Sequence, residues 1–224
     1  MRYFVIDTET VGLKTPELPA SGVVQVAWIE IDKDLNVLSE HSHYVNPGCP
    51  IDPKASEVHG VYDDDVKDCP TLAQVMDLGT DPITLIGHNV AFDYRFLSNW
   101  VYPAKVQTLC TLQLARLYVK HSANHKLTTL VEHLEIPQDK AHSALGDVKM
   151  TNTLLKVLLY MGRTTLEDAV AREQTNALMH RMPFGKHKGE LMMELPKPYV
   201  RWMLDQTDLP PAIRRSLEHF VRLA

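Results

Sequence analysis

Tyr3-Phe4-Val5-Ile6-Asp7-Thr8-Glu9-Thr10 decides how the rest of the chain is read. Four apolar residues are too few for a helix and read as a buried strand, which ends at two carboxylates spaced two residues apart. The alternation of a strand sends Asp7 and Glu9 out of the same face, roughly 7 Å apart along the backbone. Like charges so placed repel, so the pair must be protonated, solvated or bridged by cations. Mg²⁺ suits the last arrangement, because it takes a few carboxylates and completes its octahedron with water and phosphate oxygens. Taken alone, the pair is a weak signal and reads first as a solvated strand end.

Outward from this strand, Gly12 and Pro16 mark a loop. Val23 to Ile31 reads as a second strand, Asp32 to Asn36 as a turn and Val37 to Val45 as a third strand, giving an antiparallel hairpin. Loop and short helix are expected between Pro47 and Pro70. Leu85-Ile86-Gly87 then reads as another buried strand, running into His88-Asn89-Val90-Ala91-Phe92-Asp93. In that string Asn89 is the expected helix N-cap, and Asp93 falls in the first turn, where the helix dipole favours acid. Helical spacing follows at Leu109 to Tyr118, at Leu127 to Leu134 up to Pro137, and at Ala144 to Tyr160, where Ala144, Val148, Leu155 and Leu159 form an apolar stripe. Strands first and helices after them predict a mixed sheet flanked by helices. A capping box at Thr164-Thr165-Leu166-Glu167 opens one more helix after Gly162, which sets the expected domains at residues 1–162 and 163–224.

Composition bounds the function. With 224 residues, 45% hydrophobic and 23% charged, the chain can bury one full core and carry an appendage. Cys49, Cys69 and Cys110 are an odd number without a Cys-x-x-Cys pair, which predicts free thiols rather than zinc or a redox motif. No apolar run approaches the ~20 residues of a bilayer span, and MRYFVIDTET lacks the blocks of a signal peptide, so no membrane association and a cytoplasmic location are expected. A net charge of -5 weighs against a nucleic-acid binder, but the charge is unevenly spread. Residues 181–224 carry eight Lys or Arg against five Asp or Glu, net +3, leaving 15 minus 23, or -8, on residues 1–180.

A third signal is Ala141-His142-Ser143-Ala144-Leu145-Gly146-Asp147. Five helical residues rotate ~140°, so His142 and Asp147 cannot share one face of a continuous helix. If both serve one site, His142 precedes the helix, with Ser143 as N-cap and Asp147 fixed in the first turn. An imidazole on the incoming loop beside fixed carboxylates suits a general base better than a metal ligand. By itself it is an ordinary loop histidine.

Together and in order, these strings resemble the DEDDh branch of the DnaQ-like 3′-5′ exonuclease superfamily. The D-x-E motif is matched by Asp7 and Glu9, an N-x-x-F-D string by Asn89, Phe92 and Asp93, and H-x-A-x-x-D by His142, Ala144 and Asp147, with Val58-His59-Gly60 between the first two. The resemblance implies an RNase H-like mixed sheet. It further implies that Asp7, Glu9, Asp93 and Asp147 hold two divalent ions, Mg²⁺ with Mn²⁺ as a substitute, and that His142 is the base. Thr8, Thr10, Leu13, His59, Val61, Asn89 and Phe92 are implied to line the pocket for the terminal nucleotide. One departure is Gln25 in Val23-Val24-Gln25-Val26, where many relatives carry an acid.

The tail, with Phe184-Gly185-Lys186-His187-Lys188-Gly189 ahead of Tyr199-Val200-Arg201-Trp202, resembles that of the bacterial exonuclease X group. Glycines beside Lys186 and Lys188 let backbone approach a phosphate, while Tyr199 or Trp202 either stacks on an unpaired base or forms the core of a small folded module. The resulting expectation is a 3′ to 5′ exodeoxyribonuclease that acts on nucleic acid with a free 3′ end, in DNA repair or degradation. An exoribonuclease and a polymerase-associated or non-catalytic nucleic-acid-binding module stay open as alternatives, as does homodimerisation.

Overall fold

The computed structural model describes residues 1–101, 103, 105–138, 143–176, 181–206, 209–210 and 213–218. Two compact units account for them, Met1–Val170 and Ala171–Ala224. Leu166, Ala169 and Val170, just after the capping box, belong to the core of the first.

That first unit is built on a five-stranded mixed sheet. β1 (Arg2–Thr10), β2 (Val23–Ile31) and β3 (Val37–Tyr44) are successive antiparallel neighbours, while β4 (Ile83–Gly87) runs parallel to β1 and β5 (Val106–Cys110) parallel to β4, in the order β3-β2-β1-β4-β5. β1 is therefore central, and its residues alternate between two packed faces. Tyr3 and Val5 join Ala27, Ile29, Ile86 and Leu109 on one side. Phe4 and Ile6 join Val26, Trp28 and Leu85 on the other.

Helices cover both faces. α1 (Pro53–His59), α2 (Asp63–Val66) and α3 (Leu72–Val75) precede β4, and α4 (Ala91–Leu97) follows it. α5 (Thr111–Tyr118), α6 (Leu127–His133), α7 (Ala144–Met161) and α8 (Leu166–Asn176) come after β5. Ala144, Val148, Leu155 and Leu159 are all buried, so the apolar stripe of α7 packs against the Tyr3 face together with Leu114, Leu130 and Val131. Phe96 and Leu97 of α4 close the Phe4 face with Leu72 of α3. No helix among the described residues is long and apolar enough to cross a membrane, and the three cysteines are free.

Three local expectations are corrected. Leu109 lies in β5, opposite Ile86, rather than at the start of a helix, because the parallel partner takes up the backbone of 106–110 and the helix waits until Thr111. Asn89 is not an N-cap: it adopts φ 77° in the tight turn between β4 and α4, and Val90 is the residue at the cap position. A chain that must reverse within three residues needs a left-handed conformation, which Asn tolerates better than most. Finally, the hydroxyl of Thr165, not that of Thr164, accepts the Asp168 N–H at the start of α8.

The second unit has its own small core of Met182, Met192, Leu195, Val200, Met203, Leu209, Ile213 and Leu217. Its chain runs through a bridge between Arg181 and Leu191, a short 3₁₀ turn at Met192–Glu194, α9 (Lys197–Leu204) and a helical stretch over residues 213–218.

Candidate active site

Three acids meet where β1 ends. Strand alternation gives Asp7 and Glu9 the same side as Tyr3 and Val5, the side covered by α7, and gives Thr8 the side covered by α4. α7 begins where it does because Ser143 is extended (φ -130°, ψ 130°) and its hydroxyl accepts the Gly146 N–H, which sets Asp147 in the first turn. One oxygen from each of Asp7, Glu9 and Asp147 lies within 4.8 Å of the others. Two oxygens on one Mg²⁺ sit at most about 4.2 Å apart, twice the usual bond length, so a small side-chain adjustment brings this partly buried, all-oxygen donor set onto a hard divalent ion.

Asp93 approaches from the opposite face. It is 3% exposed, in the first turn of α4 as expected, and its Oδ1 accepts both the Thr8 N–H (3.0 Å) and the Thr8 hydroxyl (2.8 Å). Burial pushes its carboxyl up to about 7, against the pull of the Thr8 hydrogen bonds. Glu9 is pushed up to about 7 by burial and by the charges of Asp147 and Asp93. Asp7 is driven well above the carboxylate range by burial and then by Asp93, Asp147 and Glu9. Asp7, Glu9 and Asp93 are thus all pushed toward holding protons, with the charge of Asp147 adding to the push on Asp7 and Glu9.

A pH dependence follows. Carboxyls titrate near 4 in an unfolded chain, whereas Glu9 and Asp93 titrate at about 7 in the native state. Between these values the native protein binds more protons, so the stability contributed by these groups is lost as pH rises through about 7. Adding Mn²⁺ to EDTA-treated protein is expected to raise Tm strongly at pH 8 and little at pH 5.5. An equal shift at both values would count against the cluster as a deprotonated metal site.

The remaining predicted residues are distributed around this centre. Thr10 is buried, and its hydroxyl donates to the Gly12 carbonyl. His59 Nδ1 accepts the Val61 N–H at 3.1 Å, which leaves Nε2 to donate to the Thr10 carbonyl at 3.3 Å. Burial lowers the His59 pKa, in keeping with this neutral tautomer tying the α1 end to β1. Val61 is buried, Leu13 is 80% exposed and Asn89 is exposed. Phe92 packs at 5.2 Å from Phe96 and lies under the guanidinium of Arg95. His142 lies outside the described residues. Lys186 and Lys188 are exposed in the second unit.

Two residues outside the predicted ligand and pocket set also shape the site. Gln25, opposite Glu9 in the β1–β2 register, accepts the Ala144 N–H with its Oε1 at 3.1 Å. It thereby ties β2 to the first residue of α7, a neutral group doing what an acid would do only by adding another charge. Arg95 donates to the Leu13 carbonyl at 2.9 Å and so anchors the loop after β1. The register made Gln25 accessible to inspection, whereas nothing local marks Arg95. Ser143→Ala is expected to cost about 1 kcal/mol, the usual value of an N-cap, read as a lower midpoint in urea unfolding.

Residues 4–155 match the family described as Exonuclease, and residues 172–218 match one described as Putative quorum-sensing-regulated virulence factor. The chain is 28% identical to Exodeoxyribonuclease 10 of Escherichia coli (strain K12), over 97% of each chain. A solved structure of Exonuclease X in complex with 5′ overhanging duplex DNA is 26% identical, with a TM-score of 0.62 over 75% of this chain and 98% of the other. E. coli Exonuclease I in complex with a dA16 oligonucleotide shares the fold at 19% identity and TM-score 0.61, covering 79% of this chain and 43% of that one. With the family match spanning more than half of the chain and the motifs in order on an RNase H-like sheet, this protein belongs to the DnaQ-like 3′-5′ exonuclease family.

Proposed function

We propose that the protein is an exodeoxyribonuclease that releases nucleoside monophosphates one at a time from DNA 3′ ends, in DNA repair or degradation. The observation that carries this reading is the convergence of Asp7, Glu9 and Asp147 oxygens within 4.8 Å, with the buried Asp93 pressing on the same charge. In this reading the four carboxylates hold two divalent ions, Mg²⁺ or Mn²⁺. When bound, such ions lower the pKa of a water nucleophile and neutralise charge on the departing 3′ oxygen.

The residues of the chain do the rest. Asp7 and Glu9, carried on a central strand, keep their spacing without loop motion. Asp147 is fixed by the Ser143 cap and by the Gln25 tether of α7. His142, one residue before that cap, takes the proton from the attacking water. Thr8, Thr10, Leu13, His59, Val61, Asn89 and Phe92 bound the terminal nucleotide, with exposed Leu13 and half-buried Phe92 offering apolar surface to a base. Lys186 and Lys188 contact the phosphate backbone and offset the -8 carried by residues 1–180.

The choice of DNA draws on Exodeoxyribonuclease 10, similar over nearly the whole chain, and on the DNA-bound Exonuclease X. A direct test compares matched 5′-labelled single-stranded DNA, duplex DNA and RNA, each with Mg²⁺ and with EDTA. The reading expects stepwise shortening of DNA that EDTA stops. Faster degradation of RNA than of either DNA would replace it with the exoribonuclease alternative.

A further inference from the structure

α9 buries Val200 and Met203 in the core of the second unit, yet the same helix leaves Trp202 55% exposed. That indole is not isolated. Its ring lies 5.7 Å from the Tyr199 ring at 36°, and Tyr199 in turn lies 4.3 Å from the His187 imidazole at 57°. His187 is held from behind, with Nδ1 2.9 Å from a Glu190 carboxylate oxygen. The turn that delivers His187 is bracketed by Gly185 at φ 75° and Gly189 at φ 87°, conformations that a side chain would strain. Tyr199 is half-buried and packs against the core, so it supports the row, and Trp202 is its outermost member.

The segment that carries the row is rich in exposed cations. Between Phe184 and Trp202 the chain carries Lys186, Lys188, Lys197 and Arg201 against Glu190 and Glu194, and all four cations are exposed. Phe184, at the start of the turn, is 42% exposed. The folding of this unit gains little from an indole left in water. An exposed indole packed against Tyr199, on a segment rich in exposed cations, suits a base stacked on it and phosphates held nearby. An acidic protein partner would use the cations but would have no need of the aromatic row.

We propose that the unit Ala171–Ala224 is a single-strand anchor, in which Trp202, backed by Tyr199 and His187, stacks on an unpaired base while Lys186, Lys188, Lys197 and Arg201 contact the backbone. This rests on the nucleic-acid reading above, and it separates the chain into a part that cuts and a part that holds.

The test uses full-length protein carrying Asp7→Ala, so that no strand is consumed, and follows the anisotropy of a 5′-fluorescein dT oligonucleotide in EDTA. Trp202→Ala is expected to weaken binding roughly 5- to 150-fold, the range for one lost base–aromatic stack, with an unchanged circular dichroism spectrum. Trp202→Phe should recover most of the affinity. Lys186→Gln with Lys188→Gln should reduce the slope of log affinity against log salt by about 1.4, at about 0.7 per phosphate contact on a single strand. Equal affinity for the parent and Trp202→Ala, or a salt slope untouched by the double lysine change, would overturn the anchor. Cleavage is judged separately, from turnover by protein with an intact Asp7, so failure of the anchor and failure of the exonuclease reading would be told apart.

Discussion

Asp7→Asn is expected to lower turnover of a labelled DNA strand in Mg²⁺ by at least about a thousandfold while raising the Tm of the metal-free protein at pH 8. The opposite signs have one cause. Burial first, and then the charges of Asp93, Asp147 and Glu9, make the ionised form of Asp7 costly in the native state. Replacing Asp7 with an amide removes a carboxyl that the fold keeps from ionising and, in the proposed site, the central donor to a bound cation. A residue with only a structural role would lose activity and stability together. Initial rates, with Tm measured in EDTA, separate the two cases: a fall in both quantities, or normal turnover, contradicts the assignment.

His142→Ala is expected to slow the reaction by roughly 10²- to 10⁴-fold, the usual contribution of a positioned general base, with Mn²⁺ binding largely kept. The geometry behind this is the α7 N-terminus. Ser143 caps the helix, so residue 142 lies before the first turn, while Asp147 is held within it. A base acting from that segment leaves a signature in the pH–rate profile, where the wild-type rise across the histidine range should disappear in the variant. Loss of Mn²⁺ binding in His142→Ala would instead make the imidazole a ligand.

Much of the sheet was legible because its patterns are local. Val23–Ile31 is a largely apolar run joined to Val37–Tyr44 across a turn-rich Asp32–Asn36, and Ser143 precedes a clear apolar stripe. β5 was not legible, since Leu109 continues into a helix whose spacing it happens to fit, and only pairing with Ile86 on β4 marks it as strand. Asn89 offered two uses of the same side chain, capping or left-handed backbone, and the demand for a tight turn after Gly87 decided for the second.

Within the site, the convergence of Asp7, Glu9 and Asp147 followed from motif order rather than from any one string. The hydrogen bonds from Thr8 to Asp93, 85 residues apart, could not be read from spacing. Nor could the Gln25 contact to Ala144, 119 residues away. Both are tertiary, and each explains a residue that the motif pattern only marked. The tail divided in the same way: Tyr199 and Trp202 read alike in sequence, and burial against Met203 and its neighbours separates the supporting ring from the exposed one.

The claim at the centre is that one cluster of carboxylates holds the ions of the reaction. Mn²⁺ bound per chain, followed by electron paramagnetic resonance at pH 8 with a deoxynucleoside monophosphate present, tests it most directly. The account predicts two ions for the wild-type protein and loss of high-affinity binding in Asp7→Asn, whereas equal Mn²⁺ occupancy and affinity in the two proteins would contradict it.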